Sequence, residues 1–251
     1  MEKLNKVAQI SFLFWLMKII ATTLGETFGD YISMTLNFGY ALSLLITALA
    51  FGVALIIQLS TKKYIPLAYW LVIIATTTLG TEISDFIDRS LHLGYTSGSI
   101  LLVFSLTVTL VLWFRNFKNL AVYPIIDRKK EIFYWIAILF SNSLGTAFGD
   151  YLSDVVGLSY LQGALVTSGV IIIVVVLHYA TRINAIFLFW LAFIFTRPFG
   201  ATFGDFLTKP IAKGGLDLGT LNASIVSMLL LIIIFNLSGN FFSGGSNDNT
   251  M

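Results

Sequence analysis

Four aspartates, Asp30, Asp85, Asp150 and Asp205, each stand 15 residues after a tryptophan, Trp15, Trp70, Trp135 and Trp190. They lie inside stretches that otherwise read as membrane helices: WLMKIIATTLGETFGDY, WLVIIATTTLGTEISDF, WIAILFSNSLGTAFGDY and WLAFIFTRPFGATFGDF. Offsets 7, 11 and 15 from each Trp follow i, i+4, i+8 and form one helix stripe. In the first unit the stripe is Thr22, Glu26 and Asp30; in the second, Thr77, Thr81 and Asp85, with Glu82 beside it. In the third it is Asn142, Thr146 and Asp150; in the fourth, Arg197, Ala201 and Asp205. Lys18 sits four residues before Thr22.

Charge inside a bilayer is expensive, so these groups are functional candidates. Glu26, Asp30, Glu82, Asp85, Asp150 and Asp205 supply six negative charges, and Lys18 and Arg197 offset two. The other four need protons or cations. Carboxylate, hydroxyl and amide oxygens suit hard divalent ions such as Mg²⁺, Ca²⁺ and Mn²⁺. The chain has no Cys, and Met17, Met34 and Met228 lie off the stripe, which disfavours soft Cu(I). The six acids are the expected metal ligands or proton carriers, and Lys18, Thr22, Thr77, Thr81, Asn142 and Arg197 are supporting polar groups. Arg197 and Lys18 are expected to neutralise Asp205 and Glu26, eight residues along their own helices. The competing structural reading has acids and bases pairing only as interhelical glue. Crowded carboxylates can also hold protons and release them when a cation enters.

These residues need helices to position them. Of 251 residues, 57% are hydrophobic and 11% charged, against about 25% charged in an ordinary soluble domain. Runs such as ALSLLITALAFGVALIIQL and ALVTSGVIIIVVVLHYA approach the ~20 residues that cross a bilayer core. The alternating segments of a β-barrel are absent from the sequence. Each phrase is followed by a turn-like stretch and a second apolar run. The expected fold is an all-α polytopic membrane protein with eight transmembrane helices, arranged as four parallel two-helix repeats around a pseudo-symmetry axis along the membrane normal. The spans are expected at 8–32, 39–59, 67–87, 95–114, 132–154, 160–181, 185–207 and 218–238. The units run 1–60, 61–114, 131–182 and 183–238, with a basic linker at 115–130 and a flexible tail at 239–251.

A second face of each phrase carries small residues: Gly25 and Gly29, Gly80 and Ser84, Gly145 and Gly149, Gly200 and Gly204. Such pairs let helix backbones approach closely. The four odd-numbered helices are therefore expected at the centre, with the even-numbered helices as an outer, lipid-facing ring. The Thr-Thr-Leu-Gly and Arg-Pro-Phe-Gly stretches are candidate helix breaks that would expose carbonyl ligands. The Trp residues are expected as interfacial anchors. Asp88 and Asp154 are expected to face water, and His92 and His178 have no ligand spacing.

One side of the expected topology carries ten loop bases: Lys3, Lys6, Lys62, Lys63, Arg115, Lys118, Arg128, Lys129, Lys130 and Arg182. The other side carries Arg89, Lys209 and Lys213. The positive-inside rule then puts both termini in the cytoplasm. The basic linker is expected to meet anionic head groups.

The W-x14-D spacing and the G-[ETA]-x-[FI]-[GS]-D-[YF] cores resemble a bacterial integral membrane protein family of four tandem two-helix units known as a repeat of unknown function. The resemblance spans residues 8 to 238. It implies eight helices in a bacterial inner membrane and an association with the export of metal, manganese being one candidate. Glu26 and Glu82 depart from the pattern of units three and four, so a site would be asymmetric. The expectation is a divalent-cation transporter, with manganese as substrate and protons exchanged, and without a bound cofactor. The alternatives are a carrier of a small organic cation or neutral solute, with an aromatic cage, or a non-transporting scaffold. No P-loop, H-E-x-x-H or G-x-S-x-G is present, so no enzyme is expected.

Overall fold

A computed structural model describes residues 5–244, with side chains described through 237. The described residues form eight α-helices and no strand. They are α1 (Phe12–Asp30), α2 (Gly39–Ser60), α3 (Pro66–Asp85), α4 (Gly94–Phe117), α5 (Arg128–Asp150), α6 (Tyr160–Ala180), α7 (Ala185–Thr208) and α8 (Thr220–Gly244). Seven are long and apolar enough to cross a membrane. The other is α1, which holds Lys18, Glu26 and Asp30 within 19 residues. The tail expected from residue 239 begins inside α8, and residues 245–251 lie outside the described residues.

Local chemistry sets the helix ends. Ser11 accepts from the Phe14 amide at 3.2 Å, and Asn184 from the Ile186 amide at 2.8 Å. Ser159 and Gln162 form a capping box, and Pro66 opens α3. After Asp30, Asp85 and Asp150, α1, α3 and α5 each widen into a five-residue π-turn, Tyr31–Thr35, Phe86–Ser90 and Tyr151–Val155. Unit four differs: α7 stops at Lys209 and Pro210, and a 3-10 turn follows at Ile211–Lys213. Asn37 and His92 take left-handed backbone where the chain reverses into α2 and α4, so His92 is a turn residue.

The odd helices form a closed ring in which α1 packs on α3, α3 on α5, α5 on α7 and α7 on α1. The glycines close it. A Cβ on Gly25 would lie 2.7 Å from the Thr77 carbonyl carbon, and one on Gly200 would lie 2.8 Å from that of Thr22. Gly80 meets Asn142 and Gly145 meets Arg197 in the same way. Each glycine at offset 10 therefore seats the offset-7 residue of the next unit, and Gly200 of the last unit seats Thr22 of the first. Gly29, Gly149 and Gly204 repeat this one turn along, against Thr81, Ala201 and Glu26.

The even helices lie outside and expose long apolar side chains such as Leu49, Ile56, Ile100 and Phe104. Their partners differ from a hairpin arrangement. Helix α2 packs on α3, α4 on α5, α6 on α7 and α8 on α1. Each unit thus lays its second helix against the first helix of the following unit, and the last wraps round to the first. The π-turns carry the chain outward from the ring before it reverses.

The tryptophans correct the expectation of interfacial anchors. Trp70, Trp135 and Trp190 are buried and Trp15 is half-buried. They share one end of the ring with Phe14, Tyr69, Tyr134 and Phe189, the aromatic residue before each Trp. Phe14 lies 5.8 Å from Trp70, Tyr69 lies 5.4 Å from Trp135, and Phe189 lies 5.6 Å from Trp15. The Tyr69 and Tyr134 hydroxyls meet at 2.5 Å. This aromatic floor fills the end of the ring away from the paired glycines.

Residues 5–8 and the linker cover the floor. The Ile125 amide donates to Asn5 Oδ1 at 2.9 Å, and the Lys6 amide donates to the Ile125 carbonyl at 3.0 Å. The Lys6 ammonium pairs with buried Glu131, to which Gln58 also donates at 2.9 Å. Lys6, placed among the solvent-facing loop bases by its sequence position, is therefore a buried tether.

Candidate cation site

The interior of the ring is polar from the floor upward. Lys18 comes first, fully buried, and its ammonium donates to Asn142 Oδ1 at 3.0 Å. It also lies 4.0 Å from the centre of the Phe193 ring, a cation–π contact. Asn142 in turn donates to the Thr76 hydroxyl at 3.2 Å. Lys18 therefore does not neutralise Glu26, as its helix position suggested.

Arg197 takes that role. Its Nη2 donates to Glu26 Oε2 at 2.9 Å and to the Thr81 hydroxyl at 2.6 Å. Thr81 and Thr146 add hydroxyls 3.2 and 3.3 Å from the same Glu26 oxygen. Arg197 and Glu26 are both buried, so this is a buried salt bridge braced by α1, α3, α5 and α7. The expectation that Arg197 would serve Asp205 is corrected, because the ring brings Glu26 of the neighbouring helix closer than the same-helix aspartate. The Thr77 carbonyl also accepts from Arg197 Nη2 at 3.4 Å, but the Thr77 and Thr22 side chains do not join this group. Their hydroxyls donate to backbone carbonyls of the adjacent helix, Ala21 at 3.1 Å and Thr196 at 3.4 Å.

The expected helix breaks are absent. Helices α1, α3, α5 and α7 run continuously through the glycine level, and Pro198 sits inside α7. No unwound stretch there supplies carbonyl ligands. The closed ring makes such a break unnecessary for close approach, because glycine already permits it.

Asp30, Asp85, Asp150 and Asp205 lie above, all buried. Two bases stitch them in pairs across unit boundaries. Arg89 Nε lies 3.3 Å from Asp85 Oδ1, and its Nη2 lies 3.1 Å from Asp150 Oδ2. Lys209 Nζ lies 2.6 Å from Asp30 Oδ2 and 3.2 Å from Asp205 Oδ1. Each base stands four residues after its own unit's Asp, one helical turn on, so the same helix delivers both partners. Burial opposes the charge on Lys209, but Asp205 and Asp30 outweigh it and raise its pKa well above the ordinary lysine value.

Arg89 and Lys209 are partners of the aspartates that the sequence places among the loop bases of the outer side. The available signal was their i+4 spacing from Asp85 and Asp205. With them, six buried acids face four bases, and two negative charges remain uncompensated. Glu82 is one acid without a base. It is fully buried, and neither oxygen has a hydrogen-bond partner. Ser33 lies nearby, but its hydroxyl donates to the Gly29 carbonyl at 2.9 Å. Glu82 Oε1 lies beside Gly29 on α1.

The acids therefore divide. Glu26, Asp30 and Asp205 each offer an oxygen within 4.8 Å of the others. Asp85 and Asp150 are held by Arg89, and Glu82 stands apart. A half-open cavity of about 300 Å³ leads to this level, lined by Arg89, Tyr95, Asp150, Asp154, Asp205 and Lys209 among others. Asp154 is exposed there, as expected. Asp88 is not: it is buried, accepts from Ser84 at 3.4 Å, and packs against Gly98, where a Cβ would meet its carboxyl carbon at 2.9 Å.

A ring of acid-bearing helices inside a sleeve of exposed apolar helices defines a multi-pass membrane protein built from four repeats. The chain belongs to the family described as Repeat of Unknown Function (DUF347), whose sequence profile matches residues 13–64, 68–118, 133–184 and 188–238. No curated protein and no solved structure matches it.

Proposed function

We propose that the protein transports a divalent metal cation across a membrane, with manganese as the substrate and protons as the exchanged ion. The observation that carries this reading is the convergence of Glu26, Asp30 and Asp205 within 4.8 Å in a buried interior, below a cavity open at one end. Three carboxylates at that spacing suit a hard divalent ion. All eight helices cross the bilayer, α1 through its place inside the ring, and the four units repeat about an axis along the membrane normal. Both termini face the cytoplasm of a bacterial inner membrane, so the cavity opens to the outer side and the aromatic floor closes the inner side. Release on the two sides in turn then requires the floor and its cap of residues 5–8 to separate.

Uptake of radioactive Mn²⁺ into proteoliposomes tests this. The full chain should accumulate the ion down an imposed proton gradient. Asp30→Asn with Asp205→Asn should bring uptake to that of empty liposomes, whereas exposed Lys62→Gln should leave it unchanged. Full transport by the double variant would refute the proposal.

One observation favours a second reading, a non-transporting scaffold. Every carboxylate of the set except Glu82 has a base within 3.3 Å. Under that reading neither the full chain nor any variant moves Mn²⁺.

A further inference from the structure

The two stitching bases differ in how firmly they are held. Arg89 spans Asp85 and Asp150, and its Nη1 donates to the Tyr40 hydroxyl at 3.0 Å. Its guanidinium also lies between the rings of Tyr40 and Tyr95, 5.6 and 5.9 Å from their centres, and its backbone belongs to a π-turn. Lys209 has only the two carboxylates. Its backbone is the extended residue that ends α7, followed by Pro210; both bases stand in the cavity wall, 22% exposed for Lys209 and 27% for Arg89, so the difference lies in their partners. Lys209 is a single ammonium on a flexible stem, with free space beside it. Asp205 Oδ1, itself buried, lies 3.2 Å from the ammonium without a hydrogen bond being formed; Arg89 Nε makes an equally long contact to Asp85, 3.3 Å, but its Nη1 and Nη2 are hydrogen-bonded to Tyr40 and Asp150.

That ammonium occupies the place of a bound cation. It touches Asp30 and Asp205, two of the three acids whose oxygens converge, while the third, Glu26, is held from below by Arg197. We infer that Lys209 is a tethered stand-in for the transported cation: a divalent ion enters the Glu26–Asp30–Asp205 site only as the Lys209 ammonium withdraws into the cavity, and the ion leaves as the ammonium returns. The inference rests on the cation-transport reading and adds its release device. Asp154 in the cavity wall offers the withdrawn ammonium a carboxylate. Arg89 keeps Asp85 and Asp150 out of the exchange, so only one half of the aspartate ring is exchangeable. A site occupied by its own side chain has its affinity for an outside ion reduced by the fraction of time it stands free.

The test is equilibrium and kinetic binding of Mn²⁺ alone to the full chain in lipid nanodiscs. Lys209→Gln should bind Mn²⁺ at least about tenfold more tightly than the unaltered chain and release it more slowly, with transport turnover reduced. Lys209→Arg keeps both ion pairs and the fold, and its bidentate guanidinium holds the aspartates more firmly. It should bind Mn²⁺ about tenfold more weakly. If the unaltered chain binds Mn²⁺ and Lys209→Gln binds it no more tightly, or Lys209→Arg binds it equally well, Lys209 is a structural tether and the inference is overturned while the transport reading stands. If no form binds Mn²⁺, both fall.

Discussion

Arg197→Met should destabilise the folded protein by about 3–5 kcal/mol, and adding Glu26→Gln to the same chain should restore most of that loss. The asymmetry follows from burial. Removing one partner strands a carboxylate with no water to solvate it, whereas removing both leaves a neutral amide beside the hydroxyls of Thr81 and Thr146, which already lie 3.2 and 3.3 Å from Glu26. Reversible unfolding in bilayer mimics, followed as a double-mutant cycle, measures it. A single Arg197→Met cost below about 1 kcal/mol would mean that the pair is solvated and the ring interior wet. The same cycle distinguishes Arg197 from Lys18, which has an amide and an aromatic ring as partners and no carboxylate.

Changing Gly200 to alanine should have the opposite sign from the same change at Gly52. At Gly52 nothing lies within 4 Å of the added carbon, and alanine is the better helix former by up to about 1 kcal/mol. At Gly200 the new carbon lies 2.8 Å from the Thr22 backbone. The contact is with main chain, so no rotamer change relieves it and α7 must move from α1. A loss of about 3 kcal/mol is expected, at the upper end of overpacking costs. The damage should spread, because α1 and α7 also hold the two ends of the Glu26–Arg197 bridge. Unfolding free energies of the two variants check the sign directly. Equal effects at both positions would mean that the ring does not close through its glycines.

Periodicity made much of this legible. Offsets 7, 10, 11, 14 and 15 from each Trp recur in all four units, and the helical period turns those offsets into faces without any coordinates. Hence the central odd helices, the apolar sleeve and the buried position of five of the six acids follow from the chain read as text, Glu82 lying one residue off the stripe. The aromatic floor was legible too, since Phe14, Tyr69, Tyr134 and Phe189 hold one offset. A Trp near a helix end nonetheless reads as an interface anchor.

The pairing was not legible. A stripe says which residues look inward, but not how far one helix is rotated or shifted against the next, and a pair of charges needs both. Arg197 reaches Glu26 instead of Asp205 because α7 meets α1 at Gly200 and Thr22. Lys18 goes to Asn142 across the ring. Arg89 and Lys209 read as loop bases because hydropathy falls where the helices end; the π-turn after Asp85 and the end of α7 bring them back over the aspartates. The stacking of each second helix on the next unit was likewise invisible, since a short loop suggests a hairpin whether or not its two helices touch. Composition and spacing act along one chain and fix which groups are buried. Partnership is set between chain segments by packing that sequence distance does not encode, and here the glycine contacts carry it.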